Sequence, residues 1–198
     1  MNEYDLIIIG SGPGGYVAAI RASQLGMKGA VVEKAETGGI CLNWGCIPTK
    51  ALLKSAQVLD YVRHASDYGI NAGEVPVPDF GAVIARSRGV ADAMSKGVQY
   101  LFKKYNIPVI NGFGRLKSKK TVEVETPEGG KQTFSAGHII IATGARSREL
   151  PNLKQDGKKI IGYREAMNLP VLPASMVVVG SGAIGSEFAG FYRSMGTE

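Results

Sequence analysis

Two cysteines stand five residues apart in Gly38-Gly39-Ile40-Cys41-Leu42-Asn43-Trp44-Gly45-Cys46-Ile47-Pro48-Thr49-Lys50, and the 198-residue chain contains no others. In a cytosolic chain such a pair points to redox chemistry or to metal, not to a structural disulfide. Metal is the poorer fit, because the only two histidines, His64 and His138, each stand alone. On an ideal helix, residues five apart have Cα atoms about 8 to 9 Å apart, whereas a disulfide requires under about 7 Å. Gly45 is placed to supply the distortion that closes this gap. Cys46, two residues before Pro48, falls near a helix start, where the dipole favours a thiolate. The plain alternative is two buried thiols without chemistry.

A second constellation is Gly10-Ser11-Gly12-Pro13-Gly14-Gly15. A lone GxGxxG is a weak signal, but this one lies between a β-branched run and a helical pattern. There the first glycine permits a tight turn, the second lets the backbone approach a pyrophosphate, and the third permits close helix–strand packing. The free N–H groups and the dipole of the following helix favour phosphate. Glu33 lies 18 residues after Gly15, at the end of the next strand, where an acid accepts hydrogen bonds from a ribose diol. The pattern recurs 170 residues on, in Gly180-Ser181-Gly182-Ala183-Ile184-Gly185 after Val177-Val178-Val179. Two fingerprints imply two dinucleotides, and an enzyme holding both most simply passes a hydride between them. By the interval from Gly10 to Glu33, the second acid would fall at position 203, beyond these 198 residues. The chain therefore reads as the first part of a longer protein.

The elements that must position these residues follow from periodicity. Leu6 to Ile9 is a strand stopped by Gly10, a helix runs from Pro13 to about Leu25 with Gly26 past its end, and Ala30 to Glu33 is the next strand. Helical spacing covers Thr49 to about Ala65. A second long helix starts at Asp79, with a stripe of Val83, Ser87, Val90, Met94, Val98 and Leu101 that reads as core packing. Short strands are predicted over Pro108–Phe113, Thr121–Glu125 and Gln132–Ser135, with Pro127-Glu128-Gly129-Gly130 as a turn. Ile139 to Ala142 reads as a buried strand ending at Thr143-Gly144. A loosely patterned stretch with Pro151, Pro170 and Pro173 reads as an interdomain connection, and Met176 to Val179 as a new strand.

Composition narrows the classes. The chain is 44% hydrophobic and 20% charged with net charge +6, which excludes disorder. Its apolar runs fall far short of the roughly 20 residues of a membrane span. The opening residues show no secretory or transit pattern, so a cytoplasmic location is expected. Its 27 glycines, about 14%, double the ~7% of average usage and are clustered. The basic pairs at Lys117–Lys120 and Lys158-Lys159 sit at expected turns without aromatic interleaving, so neither nucleic acid nor membrane is an expected partner.

The glycine turn followed by Gly-Gly-x-Cys-x-x-x-x-Gly-Cys-x-Pro-Thr-Lys resembles the flavin disulfide reductases, which carry FAD and a pyridine nucleotide. The form Cys41-Leu42-Asn43-Trp44-Gly45-Cys46-Ile47-Pro48-Thr49-Lys50-Ala51-Leu52-Leu53 is most similar to the members that oxidise dihydrolipoamide. The likeness extends through Ala142-Thr143-Gly144 to Ile184-Gly185-Ser186-Glu187-Phe188 and so covers the whole chain. It implies an α/β fold: a Rossmann-like FAD-binding domain with a β-meander over residues 1–147, then a linker and the start of a Rossmann-like NAD-binding domain over residues 148–198. In the family a later segment completes the flavin domain and a dimerisation domain follows, so these 198 residues alone are expected to be inactive.

The resemblance also implies roles. Cys41 would be the thiol that exchanges with substrate, and Cys46 the thiol beside the flavin, in charge-transfer contact with it when reduced. Lys50 would lie near the flavin N5, paired with Glu187. The flavin pyrophosphate would rest on Gly12, Pro13, Gly14 and Gly15 and its ribose on Glu33, with Gly10, Ser11 and Lys34 also binding the cofactor. Gly38, Gly39, Gly112, Gly114, Thr143, Gly144 and Ala145 would make further contacts with FAD. Gly180, Gly182, Ala183, Ile184 and Gly185 would meet the phosphates of NAD. One departure is Ile40, where many relatives carry a hydroxyl residue.

The implied reaction is ping-pong: dihydrolipoamide reduces a Cys41–Cys46 disulfide, and the electrons pass through FAD to NAD⁺. The base, a histidine held by a glutamate, comes in the family from the partner subunit of a homodimer, and neither His64 nor His138 matches it. Expected partners are lipoyl domains and the core of 2-oxo acid dehydrogenase complexes. Rival readings are a glutathione- or mercuric-reductase-like enzyme, a small thioredoxin reductase, and an inactive FAD-binding fragment. The thioredoxin reductase would carry its CxxC in the nicotinamide domain, which this chain does not.

Overall fold

The computed structural model describes residues 2–74 and 76–198. They divide into two compact units: one holds the chain up to Asn43 together with Asp92–Arg146, the other Trp44–Ala91 together with Ser147–Glu198.

The first unit is built on a six-stranded sheet. Strands β1 (Asn2–Ile9), β2 (Gly29–Glu33) and β3 (Val109–Asn111) are parallel, and β4 (Phe113–Ser118), β5 (Thr121–Glu125) and β6 (Lys131–Ile141) form an antiparallel meander. The order is β3-β2-β1-β6-β5-β4, and β6 joins the halves by pairing parallel with β1, Ile8 opposite Ile140. Apolar side chains enforce this order. Ile7 and Ile9 of β1, Ala30 and Val32 of β2, Val122 and Val124 of β5, and Phe134 and Ala136 of β6 form one buried cluster. The alternation of these positions leaves Ile8 and Val31 pointing to the other face, where they are also buried. Helix α1 (Pro13–Gln24) packs on β1 and β2 through Gly15, Ala19 and Ala22, small residues that permit a close approach. The separate strands expected over Gln132–Ser135 and Ile139–Ala142 are one continuous β6, because both halves find partners, β5 first and β1 along its length.

The second unit is helical. Its core gathers Leu52, Ala56 and Leu59 of α3 (Cys46–Arg63), Phe80 of α4 (Phe80–Lys104), Ala166 and Met167 at the short α5 (Tyr163–Ala166), and Phe188, Phe191, Tyr192 and Met195 of α6 (Ala183–Met195). The Tyr192 hydroxyl donates to Ala166 O at 2.5 Å, and burial pushes its pKa up to about 12. The stretch read as a loose interdomain connection thus supplies core residues.

Two further expectations are corrected. Met176–Val179 is not a strand: within it only Met176 N–H bonds across, to Glu198 O, and Val177 and Val179 are 90% and 64% exposed. A strand exists only by pairing with a neighbour, and beyond the two bonds that join Ala174 and Met176 to Glu198 no ladder continues along this segment among the described residues. On α4, which straddles the two units, the buried stripe includes Ser87, Ala91, Ser95, Val98 and Phe102, while the expected Met94 is exposed. Ser87 and Val98 of the expected stripe are thus buried, and Ala91, Ser95 and Phe102 join them where Val90, Met94 and Leu101 are more exposed. Asp79 caps this helix as expected of its start, its carboxylate accepting from Ala82 N–H at 2.9 Å.

Candidate functional site

In the first unit, β1 ends at Gly10, whose φ of +103° only glycine adopts readily. A Cβ at Gly10 would also strike the carbonyl of Ala142, and one at Gly15 would strike the carbonyl of Gly10. These two glycines fold the chain from strand into helix with no room to spare. Gly12 and Gly14 differ: the nearest atom to a Cβ there is Gly39 Cα at 4.0 Å for Gly12 and Ala142 Cβ at 3.9 Å for Gly14. Space is therefore left at the N-terminus of α1, where Gly12 caps without a side-chain bond and Pro13 opens the first turn. An anionic group fits this cradle.

Glu33 closes the turn from below. Its Oε2 accepts from Ser11 N–H at 2.8 Å and Ser11 Oγ–H at 2.6 Å, and its Oε1 from the N–H groups of Lys34 and Ala35 at 2.8 and 2.9 Å. Three of these donors are main-chain groups. The Ser11 hydroxyl is the one that can rotate away, so a ribose diol would bind by taking its place. Ser11 is fully buried, and its Oγ accepts from Gly38 N–H at 3.3 Å.

The segment leading to Cys41 is docked against this turn. Gly39, at φ +62°, lies so close to Gly12 that a Cβ would come within 2.8 Å of Gly12 Cα. Thr37 O accepts from Ser95 Oγ at 2.8 Å and from Asn43 Nδ2 at 3.0 Å, and Asn43 Nδ2 also donates to Gly39 O at 2.9 Å. Asn43 and Ser95 are both buried. Their positioning role was not legible in the sequence, where Asn43 stood only as one motif letter and Ser95 carried no signal. Gly112, Gly114, Thr143, Gly144 and Ala145 also belong to this unit, with Gly112 N–H bonded to Glu33 O at 2.9 Å and Gly144 at φ +70°.

Cys41 is half-buried on a short helix α2 (Gly39–Trp44), and Cys46 is exposed as the first residue of α3. The helix is interrupted between them at Gly45, whose φ and ψ of −144° and −117° leave the helical region. The five-residue spacing therefore is not the spacing of one continuous helix.

In the second unit, Lys50 Nζ forms an ion pair with Glu187 Oε1. Trp44 carries two guanidinium groups over its ring, Arg88 at 4.6 Å and Arg164 at 5.0 Å. The second glycine turn repeats the first: Gly180 has φ +113°, and a Cβ at Gly185 would strike the Gly180 carbonyl just as one at Gly15 strikes that of Gly10. Gly182 caps α6 with open space around it, and Ala183 and Ile184 open the helix. His64 is exposed at the C-terminus of α3 with Nδ1 2.8 Å from Asp60 O, and His138 is exposed on β6. Neither approaches a cysteine along the chain. Among the described residues no cluster of ligating side chains could hold a metal, and no helix is long and apolar enough to cross a membrane.

A mixed sheet whose parallel half carries a glycine turn, an acid closing that turn and the turn repeated define a nucleotide-binding α/β protein of the Rossmann type. The family model for pyridine nucleotide-disulphide oxidoreductases matches residues 4–198, and the chain belongs to that family. It is 54% identical to the dihydrolipoyl dehydrogenase of Rhizobium etli and 51% identical to that of Zymomonas mobilis, in both cases over 100% of this chain but only 44% and 42% of the relative. Its fold is similar to LpdA from Mycobacterium tuberculosis, with a TM-score of 0.87 at 27% identity over 100% of this chain and 43% of that one. It is also similar to the copper(II) complex of the flavoprotein disulfide reductase RclA from Escherichia coli, with a TM-score of 0.83 at 28% identity, over 100% of this chain and 42% of that one. The chain thus spans less than half the length of each of these four proteins. The family implies FAD and NAD(H) as cofactors.

Proposed function

We propose that the protein to which these residues belong is a dihydrolipoyl dehydrogenase, oxidising dihydrolipoamide to lipoamide at the expense of NAD⁺. The observation that carries this reading is the duplicated glycine turn, Gly10–Gly15 and Gly180–Gly185, with the Cys41–Cys46 motif between its copies. In this reading residues 1–147 are the first segment of an FAD-binding domain, and residues 148–198 a linker and the start of an NAD-binding domain.

The residues of the first turn fit FAD: the cradle at Gly12 and Gly14 would take the pyrophosphate and Glu33 a ribose diol. Bound there, FAD supplies two-electron transfer between a dithiol and a pyridine nucleotide. The chain's own part is thiol exchange. A substrate thiolate attacks Cys41 of the Cys41–Cys46 disulfide, the S–S bond breaks, and Cys46 leaves as a thiolate. The second substrate thiolate then attacks the sulfur bonded to Cys41, releasing cyclic lipoamide and Cys41 as a thiolate. The substrate loses two electrons and two protons, and the cysteine pair gains the two electrons. The Lys50 ammonium, kept in place by Glu187, would supply the positive charge that the family resemblance assigns to the flavin. Gly180, Gly182 and Gly185 serve NAD. We place the protein in the cytoplasm, as a homodimer serving lipoyl domains of 2-oxo acid dehydrogenase complexes.

The test is a substrate comparison on the full-length protein. Dihydrolipoamide with NAD⁺ should turn over, whereas glutathione disulfide or mercuric ion with NADPH should not. The reverse preference would assign the protein to the glutathione- or mercuric-reductase-like branch.

A further inference from the structure

Trp44 is the last residue of α2, and the chain breaks at Gly45 before α3 begins at Cys46. Two guanidinium groups lie over its ring, Arg88 of α4 with Cζ 4.6 Å from the centroid and Arg164 of α5 with Cζ 5.0 Å from it. All three residues belong to the second unit. Both arginines come from elements that are themselves held in place. Arg88 follows the fully buried Ser87, and Arg86 on the same helix donates from Nη1 to Ala51 O of α3 at 2.8 Å. Arg164 opens the short helix whose Ala166 lies in the core and accepts from the Tyr192 hydroxyl. A cation over an indole face is the most favourable pairing of its kind, so the two together pin the ring to α4 and α5.

Beyond Cys46, Pro48 is fully buried and Thr49 is buried beside it. The segment Gly45-Cys46-Ile47 is therefore held at both ends, by the Trp44 ring before it and by Pro48 after it. Gly45 has no side chain of its own, and glycine loses more conformational freedom on ordering than any other residue. We propose that Trp44, clamped by Arg88 and Arg164, is a positioning residue for Cys46 and sets how far the Cys41–Cys46 disulfide is favoured over its dithiol. This rests on the reading of the two cysteines as the redox pair. Closing the pair forms one S–S bond, and its two electrons and two protons go to lipoamide, whose own S–S bond opens to the dithiol. With the clamp in place the freedom of Gly45 is lost on folding, before closure. Without it the same freedom is lost on closure, which disfavours the disulfide by about tenfold for one further residue fixed.

The experiment equilibrates the full-length protein with dihydrolipoamide and lipoamide at a series of ratios, then counts free and paired Cys41 and Cys46 by acid quench, alkylation and mass spectrometry. Trp44→Leu removes the ring and leaves both arginines. It should be half-reduced at about one tenth of the wild-type ratio of dihydrolipoamide to lipoamide, a rise of about 30 mV for a two-electron couple. Arg164→Gln, a change at an exposed residue, should shift the ratio about threefold in the same direction while the thermal midpoint stays within a few degrees of wild type. Trp44→Phe, which keeps a ring face, should recover most of the wild-type ratio. The double variant Trp44→Leu with Arg164→Gln should shift no further than Trp44→Leu alone, because both act through one ring. Additive shifts would mean that the arginine acts on the thiols by its charge, and would overturn the inference. So would an unchanged ratio in both single variants, whatever their thermal midpoints, which would make the ring merely structural. A wild-type protein whose cysteines stay unpaired at every ratio would overturn the redox-pair reading itself, and this inference with it.

Discussion

Lys50, one turn into α3, pairs with Glu187, one turn into α6 and 137 residues later in the chain. The lysine keeps 61% of its side chain exposed and the glutamate 30%, so the pair contributes little to folding. Its significance is positional: it fixes a cation one turn from Cys46. Glu187→Gln should leave the thermal midpoint within a few degrees of wild type and reduce turnover at least tenfold, with Lys50→Arg only partly restoring function because a guanidinium cannot occupy the point position of an ammonium. Calorimetry beside steady-state kinetics of the full-length protein checks this. A large fall in the midpoint with unchanged turnover would make the pair structural.

The glycine turn separates binding from folding. Gly15→Ala places a Cβ on the Gly10 carbonyl and should destabilise the protein by about 2 kcal/mol or more, since the helix must shift off the strand. Gly12→Ala adds a Cβ with nothing nearer than Gly39 Cα at 4.0 Å, in a φ of −66° that alanine accepts. It should keep the midpoint and lose FAD affinity. Urea unfolding and flavin titration of the two variants check the contrast, which fails if Gly12→Ala binds FAD as wild type.

Tyr192 gives a pH dependence. Its pKa rises from 10.0 to about 12 on folding because burial disfavours the phenolate. The stability this represents is present in full below pH 10 and is lost as pH rises through 12, where the unfolded chain ionises and the folded one resists. Tyr192→Phe should be less stable than wild type near pH 9, through loss of the bond to Ala166 O, and that gap should close or invert by pH 12. Denaturant midpoints at the two pH values decide it.

Much of this architecture is legible in the residues. The run Leu6 to Ile9 followed by Gly10 predicts a strand and a turn because β-branching and a positive φ are local properties, and the structure ends the strand at Ile9 and turns at Gly10, although β1 begins four residues earlier, at Asn2. Periodicity likewise predicts α1, β2 and β5 closely. What was not legible depends on partners distant in sequence. Val177 to Val179 has every local mark of a strand, yet no neighbour pairs with it among the described residues. The α4 stripe was misjudged at Met94 because burial is decided by what packs opposite, and Ala91 and Ser95 take the buried side. At the site, the tight glycine turns and the place of Glu33 at the end of β2 were legible. The hydrogen bonds that Asn43 and Ser95 send to Thr37 O were not, since single polar letters carry no periodic signal.

The central claim is that Cys41 and Cys46 form the redox pair of a dihydrolipoamide-oxidising enzyme. The most direct test replaces each in the full-length flavoprotein and measures two activities side by side: NAD⁺-dependent oxidation of dihydrolipoamide, and NADH-dependent reduction of ferricyanide, which needs no thiol. Cys41→Ser and Cys46→Ser should each lose dihydrolipoamide oxidation by at least a hundredfold while retaining ferricyanide reduction. Iodoacetamide should label Cys46 in the first variant and Cys41 in the second. Dihydrolipoamide turnover near the wild-type rate in either variant would contradict the account.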